Sequence, residues 1–501
     1  MTIFISQSRP ASLSLLAAAV MITATGCISK SLDLASDSPD QAWRPEGSTT
    51  SSSDFSVPAE PAVAKLERGV DSQKVYKLTE LIDLAQTKNP ATRIAWEQAR
   101  QAALAVGMSE AAYLPTISAN VIGGYQNFVT PLPDLSGGTT DVTTTASGFA
   151  PNVALEWLVF DFGQRKSLRE AAKHNLHAAN VSFNGAHQAV IYNVTRSYYL
   201  YGAAQSNVKI AEQALANSKR IRDAAQSRYA NGIGTTIAVA QSKQLEAEAK
   251  YRLVQAQDTL RDSYQDVLAA VGISSLSKIR IASSANRRLP SAQSFPTEQV
   301  IEAALSRRPD VIASYAELKS SQANEMAAKA RFMPKVYLGA IAAMGDGTIQ
   351  SGNLPGLAGQ GTTSGVFVGL TVPLYSGGIR EGTRRQAQSA VAAAEASFEK
   401  TRNTAVQEIV IASDTLRSAL QAYASASELV RAAKVTYDAA FDAYKNGVGT
   451  VTDAIEAETG LLDARQAQAD AHASALVAAS TLAFSLGAMT SRTSAALLFS
   501  N

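Results

Sequence analysis

The stretch YANGIGTT (Tyr229–Thr236) returns as YKNGVGTV (Tyr444–Val451), about 215 residues further along the chain. The echo extends well beyond the turn. Asn89-Pro90 recurs as Arg308-Pro309, Leu114-Pro115 as Met333-Pro334, and Gly272 as Gly487. Between them, LEWLVFDFGQR (Leu155–Arg165) recurs as LTVPLYSGGIR (Leu370–Arg380). The offset is about 219 residues as far as Pro115 and about 215 from Leu155 onward, so a loop absorbs the difference. A chain written this way folds as two equivalent halves.

Each half has the same grammar. Thr79 and Thr297 stand as N-caps before an acidic residue and an apolar-periodic segment. Helix is expected to continue past Pro90 or Pro309 to about Tyr113 or Phe332. A proline then follows, and the apolar period changes to two. Ile117, Ala119, Val121 and Tyr125 alternate with Thr116, Ser118, Asn120 and Gln126, while Val336, Leu338, Ala340, Ala342 and Met344 share a face. Loops rich in Gly, Pro and Thr are expected over Val129–Ser147 and Gly345–Ser364. Second alternating runs follow them, through Val153, Leu155, Trp157 and Val159 and through Val366, Val368, Leu370, Val372 and Leu374. Four strands with one apolar face suit a transmembrane barrel or a soluble hairpin packed on helices. Four strands cannot close a barrel, so their edges are covered or other chains supply strands.

The helices favour an oligomer. After Gly378 no proline appears before the second turn, roughly 65 residues or nearly 100 Å of helix. Ile409, Leu416, Tyr423, Val430, Tyr437 and Tyr444 recur at every seventh position, with Ala405, Ala412, Ala419, Ala426, Ala433 and Ala440 between them. The first half repeats this with Val194, Tyr201, Val208, Leu215 and Tyr229, interrupted by Arg222, and with Ser197, Ala204, Ala211, Ser218 and Ala225 as its small positions. A seven-residue period imposes left-handed coiling, and small residues allow close approach. Return helices run back after each turn, the second through Ile455, Leu462, Ala469, Leu476 and Ala483. Stripes this narrow on helices this long need lateral neighbours. Asn231-Gly232 and Asn446-Gly447 would end the long helices with residues that tolerate left-handed geometry. Both turns then lie at the end of the hairpins far from the strands.

The N-terminus reads as an export signal over residues 1–26, with Arg9 ahead of an apolar run, Ala11–Ile22, too short to span a bilayer. Ala24-Thr25-Gly26-Cys27 resembles a bacterial lipoprotein signal in which Cys27 is lipidated, although Leu is usual where Ala24 stands. Ordinary cleavage after Gly26 is the alternative. Cys27 is the only cysteine, so no intrachain disulfide forms. Residues 27–77 read as a lipid-anchored tether, Ser- and Pro-rich from Ser31 to Val70. With 18% charged residues and a net charge of +2, nothing suggests a nucleic-acid partner. His174 and His177 lack further ligands nearby, Gly377-Gly378 lacks a P-loop lysine, and no Ser/His/Asp arrangement stands out. No enzyme, cofactor or metal is expected.

With VPLYSGGIREG (Val372–Gly382), two Tyr-x-Asn-Gly turns and Asp453 in the helix after the second, Leu78–Met489 resembles the TolC family of bacterial outer-membrane efflux and secretion channels. The resemblance implies an α+β fold with internal duplication, the repeats spanning 78–289 and 290–489 before a tail, 490–501. It implies a homotrimer in which four strands per chain form a twelve-stranded barrel in outer-membrane lipid. The barrel would continue as a long antiparallel α-helical coiled-coil tunnel through the periplasm. Such a channel is the passive exit duct of a tripartite efflux pump or type I secretion system. It docks to a periplasmic adaptor (membrane fusion) protein and an inner-membrane pump of RND, ABC or MFS type. The implied docking tips are Tyr229, Asn231, Gly232, Gly234 and Thr235, with Tyr444, Asn446, Gly447, Gly449 and Thr450. Asp453 and Glu456 match the family's entrance constriction, where a ring of carboxylates would favour cations and repel one another into raised pKa values. The plainer reading is that both solvate a helix start, where negative charge suits the dipole. Some relatives close the tip with an Asp where Ala238 stands and an Arg where Gly449 stands, so those bonds cannot form here. First-half Leu158 also stands where the second half has Pro373. The competing reading is a structural coiled-coil lipoprotein of the outer membrane without transport activity. Paired strands have no use in such a spacer.

Overall fold

The computed structural model describes residues 70–133, 138–285, 287–290, 296–351 and 355–489. The signal segment, Cys27, most of the tether and the tail from 490 lie outside them. In chain order the elements are β1 (Val75–Tyr76), α1 (Leu78–Lys88), α2 (Pro90–Ala111), β2 (Thr116–Pro133), β3 (Thr139–Phe160), α3 (Gln164–Ala230) and α4 (Thr236–Val271). The second half continues with β4 (Arg280–Ile281), α5 (Glu298–Leu305), α6 (Pro309–Ala330), β5 (Lys335–Ser351), β6 (Leu357–Thr371), α7 (Ile379–Asn446) and α8 (Val451–Ser485). The two halves match element for element. The expected tether ends in β1, which pairs parallel with β4.

The alternating segments form one antiparallel sheet, ordered β2-β3-β5-β6. Its register aligns the apolar positions. Ile117, Leu155, Ala340 and Val366 lie in one row, and Trp157, Leu338 and Val368 in another. Thr116, Glu156, Gly339 and Phe367 occupy the opposite face between these rows. The expected loops over Val129–Ser147 and Gly345–Ser364 are mostly strand: β2 runs to Pro133 and β3 starts at Thr139, while β5 runs to Ser351 and β6 starts at Leu357. Threonine, read with Gly and Pro as a loop former, is a ladder residue here, and serine joins it. Thr145 Oγ1 donates to Asn127 Oδ1 at 2.9 Å, and Ser147 and Thr348 hydroxyls meet at 3.0 Å. Ile117 and Val366 stay 69% and 74% exposed, and β2 and β6 each keep a free edge. Among the described residues no helix is long and apolar enough to cross a membrane.

Strand passes to helix in the same way twice. Phe162 and Gly163 have φ of 51° and 89°, and Gly377 and Gly378 have 60° and 83°, so two left-handed residues turn the chain into each long helix. An arginine then ties the corner. Arg165 bonds Asp161 Oδ2 (2.9 Å) and the carbonyls of Ala112 and Val159, and lies over the Tyr113 ring. Arg380 bonds Ser376 Oγ and the Pro373 carbonyl and lies over Phe332. Asp161 and Arg165 are both buried. Arg165→Ala therefore strands a carboxylate and should cost about 3 kcal/mol, measured by denaturant unfolding in detergent. A loss below about 1 kcal/mol would mean that the corner does not depend on this pair.

The expected continuous first helix is broken in both halves. Asn89 and Arg308 hold ψ of 124° and 123°, the extended geometry forced on a residue before proline. Pro90 and Pro309 start new helices. Asn89 bonds the Ala270 carbonyl and Arg308 the Ser485 carbonyl, so each break docks on the end of its return helix. The Pro and Gly markers of the repeat therefore meet in space. Thr79 is not the cap: α1 is capped by Lys77, whose N–H is held by Glu80 Oε2 at 2.8 Å. Thr297 does occupy the N-cap of α5, without a side-chain bond.

The long helices, 67 and 68 residues, pair with their return helices, and α3 also packs on α8. Towards the turns the helices stand side by side as α4, α3, α8 and α7. Towards the sheet, α2 and α6 replace α4 and α8. Ile409, Leu416, Tyr437 and Tyr444 of the predicted stripe are buried, as are Ala405, Ala412 and Ala426. In α3 the small positions Ala204, Ala211, Ser218 and Ala225 are buried, while Tyr229 is exposed. Arg222, which interrupts that stripe, pairs with Glu246 of α4. Within the described residues the main core joins α1, β1 and β4 to the middle of the long helices, and a second core lies behind the turns.

Candidate functional site

The two turns are built by one local recipe. Gly232 (φ 70°) and Gly447 (φ 89°) take the left-handed position after each long helix. Asn231 does not share it, having φ −88°, and Asn446 is the last helical residue of α7. The glycines, rather than the Asn-Gly pairs expected from the sequence, carry the reversal. Two residues on, Gly234 and Gly449 press against the helix just completed. A Cβ on Gly234 would fall 2.7 Å from Tyr229 N, and one on Gly449 3.1 Å from Tyr444 N. Thr235 and Thr450 then cap the return helices, their hydroxyls accepting from Ala238 N (3.1 Å) and Asp453 N (3.2 Å).

The turns differ in what they expose. Tyr229 is 45% exposed, whereas Tyr444 is 3% exposed and sits in a core with Ile221, Leu245, Phe441, Val451 and Leu461. Tyr444 is therefore a packing residue and cannot be a docking contact in this conformation. Asn231, Gly232, Thr235, Asn446, Gly447 and Thr450 are exposed. Ala238, where some relatives carry a closing Asp, packs against this same core.

A residue missed in the sequence joins the two turns. Arg228, in the last turn of α3, donates from Nη1 to the Tyr444 carbonyl at 3.0 Å, with its guanidinium 5.3 Å from the Tyr444 ring centre. The only available signal was its position just before the repeated tyrosine. The second half has Ala443 there, so the repeat comparison passed over it.

Asp453 and Glu456 are both exposed, three residues apart on α8. Asp453 Oδ2 accepts from the Thr450 hydroxyl (2.7 Å) and backbone N–H (3.1 Å). These bonds, the hydroxyl's first, hold its carboxyl below the usual range. Within one chain the shift is thus opposite to the rise expected of a crowded ring. Among the described residues no three His, Asp or Glu side chains group as a metal site.

The model of the family described as "Outer membrane efflux protein" matches residues 81–273 and 300–488, one stretch in each half. The chain is 25% identical to Protein CyaE of Bordetella pertussis over 78% of this chain and 79% of that one. It is 27% identical to Outer membrane protein OprJ of Pseudomonas aeruginosa, over 68% and 70%. The crystal structure of the Campylobacter jejuni CmeC outer membrane channel superposes with a TM-score of 0.68 at 18% identity, covering 83% of this chain and 87% of that one. Duplicated sheet-and-hairpin halves and a match over most of the chain lead to one conclusion: the chain belongs to the outer membrane efflux protein family.

Proposed function

We propose that three copies of this chain assemble side by side into one channel, the passive exit duct of a tripartite efflux or secretion machine. The observation that carries this reading is that sheet and helices are unfinished on the same two flanks. β2 and β6 are free edges, with α2 and α4 on the first flank and α7 on the second. Both flanks expose apolar side chains, among them Leu104 of α2 and Val254 of α4 on one and Leu429 and Val435 of α7 on the other. A heterologous contact between such flanks closes into a ring, and three four-stranded sheets make a barrel with no edge left. Its outer apolar rows meet lipid of the outer membrane, where the family resides.

The turns form the periplasmic entrance. Tyr229, Ile233 and Val448 are exposed there and supply apolar contact for the helical hairpin of an adaptor, which connects the duct to an inner-membrane pump. Asp453 and Glu456 from three chains line the entrance as an acidic ring. In planar bilayers the purified protein should conduct with a preference for cations. Asp453→Asn/Glu456→Gln, which keeps the shape of the helix start, should reduce the cation-over-anion permeability ratio by roughly half or more. An unchanged ratio would remove the ring as the selectivity element, and folded protein that never conducts would count against the duct.

A further inference from the structure

Behind the entrance lies a carboxyl that the duct does not explain. Glu458 of α8 is 3% exposed. It accepts a hydrogen bond from Asn217 Nδ2 of α3 at 2.9 Å and, among the described residues, has no ion-pair partner. Asn217 is equally buried, and its Oδ1 is occupied by Gln213 Nε2. Tyr437 of α7 faces the same space, buried, with its hydroxyl unpartnered among the described residues. The other charged groups acting here are Arg220 of α3, Asp438 of α7 and Arg465 of α8. Arg220 is drawn instead over the Phe441 ring. Glu458 therefore lies where the first hairpin (α3) meets the second (α7 and α8), with too few donors to satisfy a carboxylate.

We propose that Glu458 is a proton-operated clasp between the two helical hairpins: protonated, it lets them close behind the entrance, and ionised, it drives them apart to reach water. Only the consequence for conduction depends on reading the turns as an entrance. Burial pushes the Glu458 carboxyl up to about 7, against weaker pulls downward from Asn217, Arg465 and Arg220. Burial, and then the charge of Glu458, pushes the Tyr437 hydroxyl up to about 12. The sign follows from linkage. A carboxyl near its ordinary 4.5 when exposed and near 7 when clasped binds its proton more tightly in the closed form. The proton's contribution to closure is fully present below 4.5 and is lost progressively as pH rises towards 7. Between pH 5 and pH 8 the closed-to-open ratio falls by about 70-fold.

The test is hydrogen exchange of the α8 amides around Ala454–Leu462 in the purified full-length protein from pH 5 to pH 8, corrected for intrinsic rates. Protection in the wild type should fall by up to about 70-fold, and in Glu458→Gln, which stays neutral and can still accept from Asn217, it should stay flat. A flat wild-type profile overturns the proposal even if the variant fails to fold. An undiminished slope in Glu458→Gln overturns it too. A slope abolished by Glu458→Gln in a protein that never conducts would keep the clasp and sink the entrance reading.

Discussion

Replacing Gly272 by alanine should destabilise the protein by about 3–4 kcal/mol, whereas the same change at the equivalent Gly487 should cost only about 1–2 kcal/mol. Both residues end a return helix in left-handed geometry, with φ of 82° and 65°, and any side chain there pays the same conformational penalty. The surroundings differ. A Cβ on Gly272 would stand 2.6 Å from Asn89 Cα, and backbone cannot rotate out of its way. Yielding would also pull Asn89 from the Ala270 carbonyl and disturb its cap on Ala91 N. At Gly487 the nearest atom is the Arg307 carbonyl carbon at 3.2 Å, close enough to give by a few tenths of an ångström. Denaturant unfolding followed by far-ultraviolet circular dichroism compares the two variants. Equal losses would mean that the penalty is conformational alone and that the docking of Asn89 on Gly272 contributes nothing.

That junction also shows what the sequence could and could not say. The repeat markers Asn89-Pro90, Arg308-Pro309, Gly272 and Gly487 were visible as a spacing, but their meeting in space depends on a return helix of the right length, which spacing does not reveal. The long heptad stripes were legible because one apolar face on a helix admits few alternatives, and Ile409, Leu416 and Tyr437 are indeed buried. Strand limits were misread because Thr143–Thr145 and their glycine neighbours have loop composition. In a sheet with free edges and one lipid-facing side, hydroxyl ladders such as Thr145–Asn127 take the place of a soluble core. Ala238 and Gly449 drew attention as absences. What fills the tip instead, Arg228 and the buried Tyr444, differs between the halves, and a search for likeness does not find differences. Glu458 was passed over because nothing in EAETG marks that carboxyl as buried, whereas Asp453 and Glu456 stood out by resemblance.

Arg228→Ala should open the tip. The bond from a charged donor to the Tyr444 carbonyl and the guanidinium over its ring together contribute about 2 kcal/mol to holding α3 against the second turn, roughly 30-fold in the closed-to-open ratio of each chain. Single-channel recording should show longer open times at unchanged ion preference, because Arg228 lies on α3 and the carboxylates on α8. Tyr444→Phe separates this mechanism from one that uses the phenol. The acceptor is a main-chain carbonyl and the ring face survives, so the variant should gate as the wild type does. If Tyr444→Phe opened the channel as far as Arg228→Ala, the hydroxyl would be the closing group and the carbonyl bond incidental. An Arg228→Ala/Glu458→Gln double variant should then lose the pH response and keep the longer open times. Arg228 and Glu458 would thus both hold the first hairpin to the second near the turns, with the pH response carried by Glu458.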